Sequence, residues 1–113
     1  APILHPAKVE FSGIVVNFDT LTVIHPDLSE ISATAKDLAV LRLLIDRAPA
    51  AVRRDEILKE VWQSARDESA TMRGIDNSIV RIRQMLDPSE MHPKDFFIKS
   101  IRGVGYQWIA TDR

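Results

Sequence analysis

The apolar positions of this chain change period along its length, and each change predicts a different element. From Val9 to Ile31, β-branched and aromatic residues dominate, among them Val9, Phe11, Ile14, Val16, Val23 and Ile24. Turn chemistry interrupts the run at Ser12-Gly13, at Asn17 to Thr20 and at Pro26-Asp27. The pattern predicts three or four short antiparallel strands. Pro26 should end the third, because it has no N–H to give a ladder.

A helical period begins at Thr34. Thr34 followed by Asp37 is a capping-box pattern, and Leu38, Leu41, Leu44 and Ile45 follow at helical spacing. This first helix should stop near Ala48-Pro49. A second is predicted from Arg53–Glu56 to Trp62, with Ile57, Leu58 and Val61 inward and no good cap residue at its start. Residues 63–70 are polar and small and read as a loop. In the third helix, about 71–86, Ile75, Ile79, Ile82 and Leu86 fall on one stripe within about 60°. Arg73, Asn77, Val80 and Gln84 lie opposite, with Arg81 on the shoulder. Asp87-Pro88 ends this helix. After a connector at residues 91–94, Phe96 to Ile101 and Tyr106 to Ile109 form a hairpin around Arg102-Gly103-Val104-Gly105, with positive φ expected at the glycines.

Small sheet, three helices, then hairpin is the order of an α+β winged helix-turn-helix with an N-terminal antiparallel sheet. A chain of 113 residues, 45% hydrophobic and 27% charged, fits one folded domain with its core at about 9–109. It contains no cysteine, so disulfides and thiolate chemistry are excluded. No apolar run approaches the roughly 20 residues a membrane span needs, and no leader is read. The expected location is therefore cytoplasmic. The chain opens at Ala1, and the expectation is a fragment.

Net charge is −1, which excludes a uniformly basic nucleic-acid binder but not a local patch. Residues 1–60 hold seven Lys/Arg against nine Asp/Glu, whereas residues 61–113 hold eight against seven. Two short segments stand out. Residues 72–86 carry Arg73, Arg81 and Arg83 against Asp76 alone, and residues 96–109 carry Lys99 and Arg102 with no acid.

Four segments resemble the OmpR/PhoB-type effector domain of bacterial response regulators. Thr34-Ala35-Lys36-Asp37-Leu38-Ala39-Val40-Leu41 is similar to that family's "LTpkEfelL" segment. Arg54-Asp55-Glu56-Ile57-Leu58 with Val61-Trp62 resembles "ReeLl…W", and residues 73–86 resemble "RtvdvhIsrLRkkL". Ile98 to Tyr106 is very close to "IktvRGvGYr" and is the most specific of the four. The resemblance spans about Val9 to Ile109. It implies a transcription regulator's DNA-binding half, with the third helix in the major groove and the hairpin wing (about 97–109) in the neighbouring minor groove. It also implies a phosphorylated receiver domain preceding this one, head-to-tail pairing on direct repeats, and RNA polymerase contact through the 63–70 loop.

The residue chemistry points the same way. A reading helix needs one apolar stripe to anchor it and an opposite face of donors. Asn77 suits adenine, Arg81 guanine or phosphate, and Val80 a thymine methyl; Gln84 completes the face. Arg73, near the helix start, is placed for phosphate. Arg102, in a glycine-flanked turn, suits a narrow minor groove, and Lys99 and Ser100 suit backbone phosphate. Trp62 enters the candidate set through the resemblance, which puts the end of the second helix near the DNA backbone; a core position is its alternative. Arg83, nearer the apolar stripe, is expected in a structural ion pair, and Tyr106 and Trp108 in hairpin packing.

Some positions depart from the family pattern. Gly74 replaces a usual threonine, at a cost of up to roughly 1 kcal/mol to the first turn. Val80 and Gln84 stand where basic residues are frequent, which predicts fewer phosphate contacts. Arg53 replaces a common serine cap. His5, His25 and His92 fit no metal-ligand spacing, and no cofactor is expected. No nucleophile–base grouping or Gly-rich phosphate loop marks an enzyme. The alternatives are a winged helix used for protein contact, as a dimerisation or polymerase module, and the cytoplasmic part of a membrane-anchored regulator.

Overall fold

The computed structural model describes residues 7–62 and 72–110. Four short strands come first: β1 (Lys8–Phe11), β2 (Ile14–Asn17), β3 (Thr22–Ile24) and β4 (Glu30–Ser32). They form an antiparallel meander in sequence order. Ser12 and Gly13, at φ 52° and 77°, make the two-residue β1–β2 turn, the conformation whose twist matches the flanking strands. The β2–β3 turn is held by the Asn17 side chain, whose Oδ1 accepts from the Asp19 and Thr20 amides at 2.9 and 3.0 Å. β3 ends at Ile24, ahead of Pro26, as expected.

The helices follow as α1 (Ala35–Arg47), α2 (Arg54–Val61) and α3 (Met72–Leu86). The Thr34 hydroxyl caps α1 by accepting from the Asp37 amide at 3.1 Å. The Asp37 carboxylate is bonded to α3 (below). No side chain caps the start of α2 at Arg53. Ile75, Ile79 and Ile82 are fully buried and Leu86 nearly so, which confirms the stripe read from the spacing. The buried face of α3 also takes in Ser78 and Met85. It is broader than the stripe, because α1 packs along that flank.

One strand lies outside the sequence expectation. β5 (Val52–Arg53) precedes α2, and the C-terminal hairpin consists of β6 (Ile98–Ile101) and β7 (Gly105–Trp108). The wing is thus a three-stranded sheet in the order β5-β7-β6. Two residues carry no readable period, and only their pairing with Tyr106 and Gly105 makes them a strand. The hairpin also starts later than its apolar run: Phe96 is 41% exposed in the connector and Phe97 is buried beneath it. Phe11 of β1 packs edge-on to Trp108 at 4.8 Å and to Phe97 at 5.6 Å, so the first sheet is docked on the base of the wing through aromatic contacts. His25 adds a polar anchor, with Nε2 bonded to the Met85 carbonyl near the end of α3 at 2.7 Å.

Candidate nucleic-acid interface

The core stripe decides what α3 offers to solvent. With its isoleucines inward, Arg73, Asn77, Val80, Arg81 and Gln84 are all exposed. Val80 alone among them is apolar, at 45% exposure. An exposed valine amid polar donors suits contact with a thymine methyl better than contact with water.

Three ion networks hold this helix in place. The first joins α2, α3 and β7 through Asp76. Arg54 pairs with it through two nitrogens, Nε at 3.2 Å and Nη2, and the Tyr106 hydroxyl donates to Oδ1 at 2.6 Å. Burial and this bond to a carboxylate push the Tyr106 phenol up to about 12. The second network fixes the wing to the helix. Arg83 Nη2 donates to the Ile98 carbonyl at 2.7 Å and to Ser100 Oγ at 3.0 Å, and the guanidinium pairs with Asp95 at 3.6 Å. Arg83 is therefore a structural residue, in keeping with its position beside the stripe.

The third network changes the picture of Arg81. From the sequence, Arg81 is expected on the shoulder of the exposed face, contacting guanine or phosphate. In the structure Nε donates to Asp37 Oδ2 at 2.8 Å and Nη2 to Oδ1 at 3.0 Å. Ser78 Oγ donates to the same carboxylate at 2.6 Å. Burial raises the affinity of Asp37 for a proton, but the Arg81 and Ser78 hydrogen bonds outweigh it and hold the carboxyl below its usual range. Asp37 could be found from sequence only as half of a cap; nothing in its spacing announces a partner 44 residues away.

At the wing, Lys99, Ser100 and Arg102 are exposed. Ser100 accepts from Arg83, while Lys99 and Arg102 form no ion pair among the described residues. The Val104 amide donates to the Ile101 carbonyl at 2.9 Å. That turn places Gly103 at φ 78°, in the conformation its third position requires. Gly105 differs from the expectation. Its φ is not in the positive range. What it provides is clearance: a Cβ there would lie 2.0 Å from the Val52 carbonyl oxygen.

Trp62 takes the core position that the sequence left open as its alternative. It is 5% exposed, part of the core, with the Lys36 ammonium 5.3 Å from its ring centroid. A side chain this buried has little surface to give a DNA backbone. The 63–70 loop lies outside the described residues. No group of three or more His, Asp or Glu side chains capable of holding a metal occurs among the described residues. No helix among them is long and apolar enough to cross a membrane.

An amphipathic third helix braced by two others, with an attached β-hairpin, defines a winged helix-turn-helix. Residues 29–108 match the family described as "Transcriptional regulatory protein, C terminal". The chain belongs to this family, the OmpR/PhoB-type effector domains of response regulators. It is 32% identical over 78 residues to the nisin biosynthesis regulatory protein NisR of Lactococcus lactis, a match covering 69% of this chain and 31% of that protein. It is 28% identical over 82 residues to protein PetR of Rhodobacter capsulatus, covering 70% and 33% respectively. The matched region thus spans about a third of the length of these relatives. Among solved structures, the DNA-binding domain of E. coli CpxR superposes with a TM-score of 0.67 at 25% identity, covering 94% of this chain and 98% of that one.

Proposed function

We propose that this chain is the DNA-reading output domain of a two-component response regulator, binding duplex DNA sequence-specifically to regulate transcription. The observation that carries this is the joint geometry of α3 and the wing. Arg83 ties β6 to α3 at Ile98 and Ser100, so the wing flanks a helix face of exposed Arg73, Asn77, Val80, Arg81 and Gln84. A helix with such a face fits the major groove, and Arg102 at the turn suits the adjoining minor groove.

The roles follow from what each side chain is free to do. Arg73 and Lys99 hold phosphates, Arg102 enters the minor groove, Asn77 reads adenine, and Val80 and Gln84 line the remaining base edges. Ser100, already accepting from Arg83, supports the wing and can still donate to a phosphate. The domain acts without catalysis or cofactor, in the cytoplasm, downstream of a regulatory domain in a longer protein. Head-to-tail pairing on direct repeats and RNA polymerase contact through the 63–70 loop complete the reading.

The test is fluorescence anisotropy on labelled duplex DNA from the promoter of the protein's own operon, across a salt series. With Arg73, Lys99 and Arg102 as the phosphate-side cations, log K against log salt should fall with a slope of about −3. Absence of binding even at low salt would refute the reading and favour a winged helix used for protein contact.

A further inference from the structure

Asp37 sits on α1, 2% exposed, and a carboxylate so placed needs charged partners. It finds them on α3. Three hydrogen bonds converge on it: from Ser78 Oγ at 2.6 Å, Arg81 Nε at 2.8 Å and Arg81 Nη2 at 3.0 Å. Yet the Arg81 side chain remains 53% exposed. An arginine on the open face of the helix is therefore held at its base by a buried anion from another element.

The edge that is held matters. A guanidinium carries five N–H groups in one plane. A carboxylate across Nε and Nη2 leaves the hydrogens of Nη1 and the second hydrogen of Nη2 uncommitted. One from each forms a parallel pair. Two parallel donors match guanine O6 and N7 in the major groove. The carboxylate also offsets the point charge of Arg81. That weakens its pull on a phosphate, which needs charge and tolerates any orientation, and spares the directional donors that base reading needs. Asn77, one turn earlier on the same helix, is exposed beside it. The side chain is ordered before DNA arrives, so little rotamer freedom remains to be lost on binding.

We propose that Asp37 is a positioning residue for base reading: it braces the Nε–Nη2 edge of Arg81 so that the free edge reads a guanine rather than a phosphate. The proposal rests on the DNA-binding reading above. Its test is a panel of duplexes carrying each base at each position of the bound site, titrated with the full 113-residue chain and its Asp37→Asn and Arg81→Lys variants. The parent chain should prefer guanine at one position by about tenfold or more. Arg81→Lys should abolish that preference, because lysine keeps the charge but has no paired N–H edge. Asp37→Asn should erode the same preference several-fold and leave other positions unchanged.

A uniform loss of affinity across all duplexes with Asp37→Asn would make the pair purely structural and overturn the proposal. So would a guanine preference that survives Arg81→Lys, a result that decides the matter even if Asp37→Asn fails to fold. If the parent chain discriminates among no duplexes, the DNA-reading function itself falls, an outcome distinct from the other two.

Discussion

Replacing Gly105 with alanine separates two reasons for a glycine that look identical in sequence. The added Cβ would lie 2.0 Å from the Val52 carbonyl oxygen, 3.0 Å from the Arg54 nitrogen and 3.1 Å from Arg53 Cα, all backbone atoms. Ordinary contact begins at 3.4 Å, so β5 would have to retreat from β7 by about 1.4 Å. Its pairing with Tyr106 and Gly105 would open, along with the Arg54 amide to Val104 carbonyl bond of 3.2 Å. Overpacking of this kind costs about 1–3 kcal/mol, and each backbone bond lost adds about 1 kcal/mol. We expect roughly 3 kcal/mol in total. For a domain of this size about 4 °C of Tm accompanies each kcal/mol, so melting followed by far-UV circular dichroism should fall by about 10 °C or more. Gly103→Ala is the control. Nothing lies within 4 Å of its Cβ, but its φ of 78° strains any other residue, for roughly 1–2 kcal/mol. Gly103→Ala destabilising the domain as much as Gly105→Ala would refute the reasoning, since backbone conformation and not clearance would then govern both sites.

Tyr106 links the fold to high pH. Its phenol titrates at about 12 in the folded state against 10.0 ordinarily, so the stabilisation is present below pH 10 and lost as pH rises toward 12. Tyr106→Phe should flatten an alkaline unfolding curve in that window; an unchanged curve would count against the Asp76 bond. Asp37 behaves oppositely: its carboxyl is held below the usual range, so its contribution is present above about pH 4 and lost as pH falls through the lowered value. Asp37→Asn should lower stability at pH 7 and lessen the acid dependence, read by chemical denaturation at pH 3 and pH 7. Arg102→Ala should weaken DNA binding most at A·T-rich flanks and reduce the salt slope by about 1; equal affinity would remove the wing from the interface. Asn77→Ala should cost roughly 1–3 kcal/mol at one base position, and equal loss on every sequence would show that it reads no base.

The elements with a long period were legible before folding. Four apolar residues at spacings of four, three and four defined α3 and, by exclusion, its exposed face, because a helix can bury only one side. The hydroxyl cap at Thr34 and the turn at Ser12-Gly13 were legible for a similar reason, each acting on neighbours in the chain. The short strand β5 was not: two residues have no measurable alternation. Gly105 was read correctly as necessary and wrongly as to cause, since a dihedral is local whereas the approach of the Val52 carbonyl is a fact about another strand. Trp62 offered no signal to separate core from surface, because an aromatic residue at a helix end suits both.

The class of fold, the order of its parts and the residues that α3 turns outward can all be read along the chain. These depend on periodicity and on hydrogen bonds between near neighbours, and both are written along the chain. Tertiary structure decided which partners engage the cations of α3: the ion pair expected for Arg83 had no named partner, and nothing along the chain placed Asp37 against Arg81. Arg73, Arg81 and Arg83 look alike in a charge count. Yet Arg83 ties the helix to the wing and Arg81 is braced by Asp37. An ion pair depends on distance in space, and only the packing of α1 and β6 against α3 brings those carboxylates and carbonyls within reach.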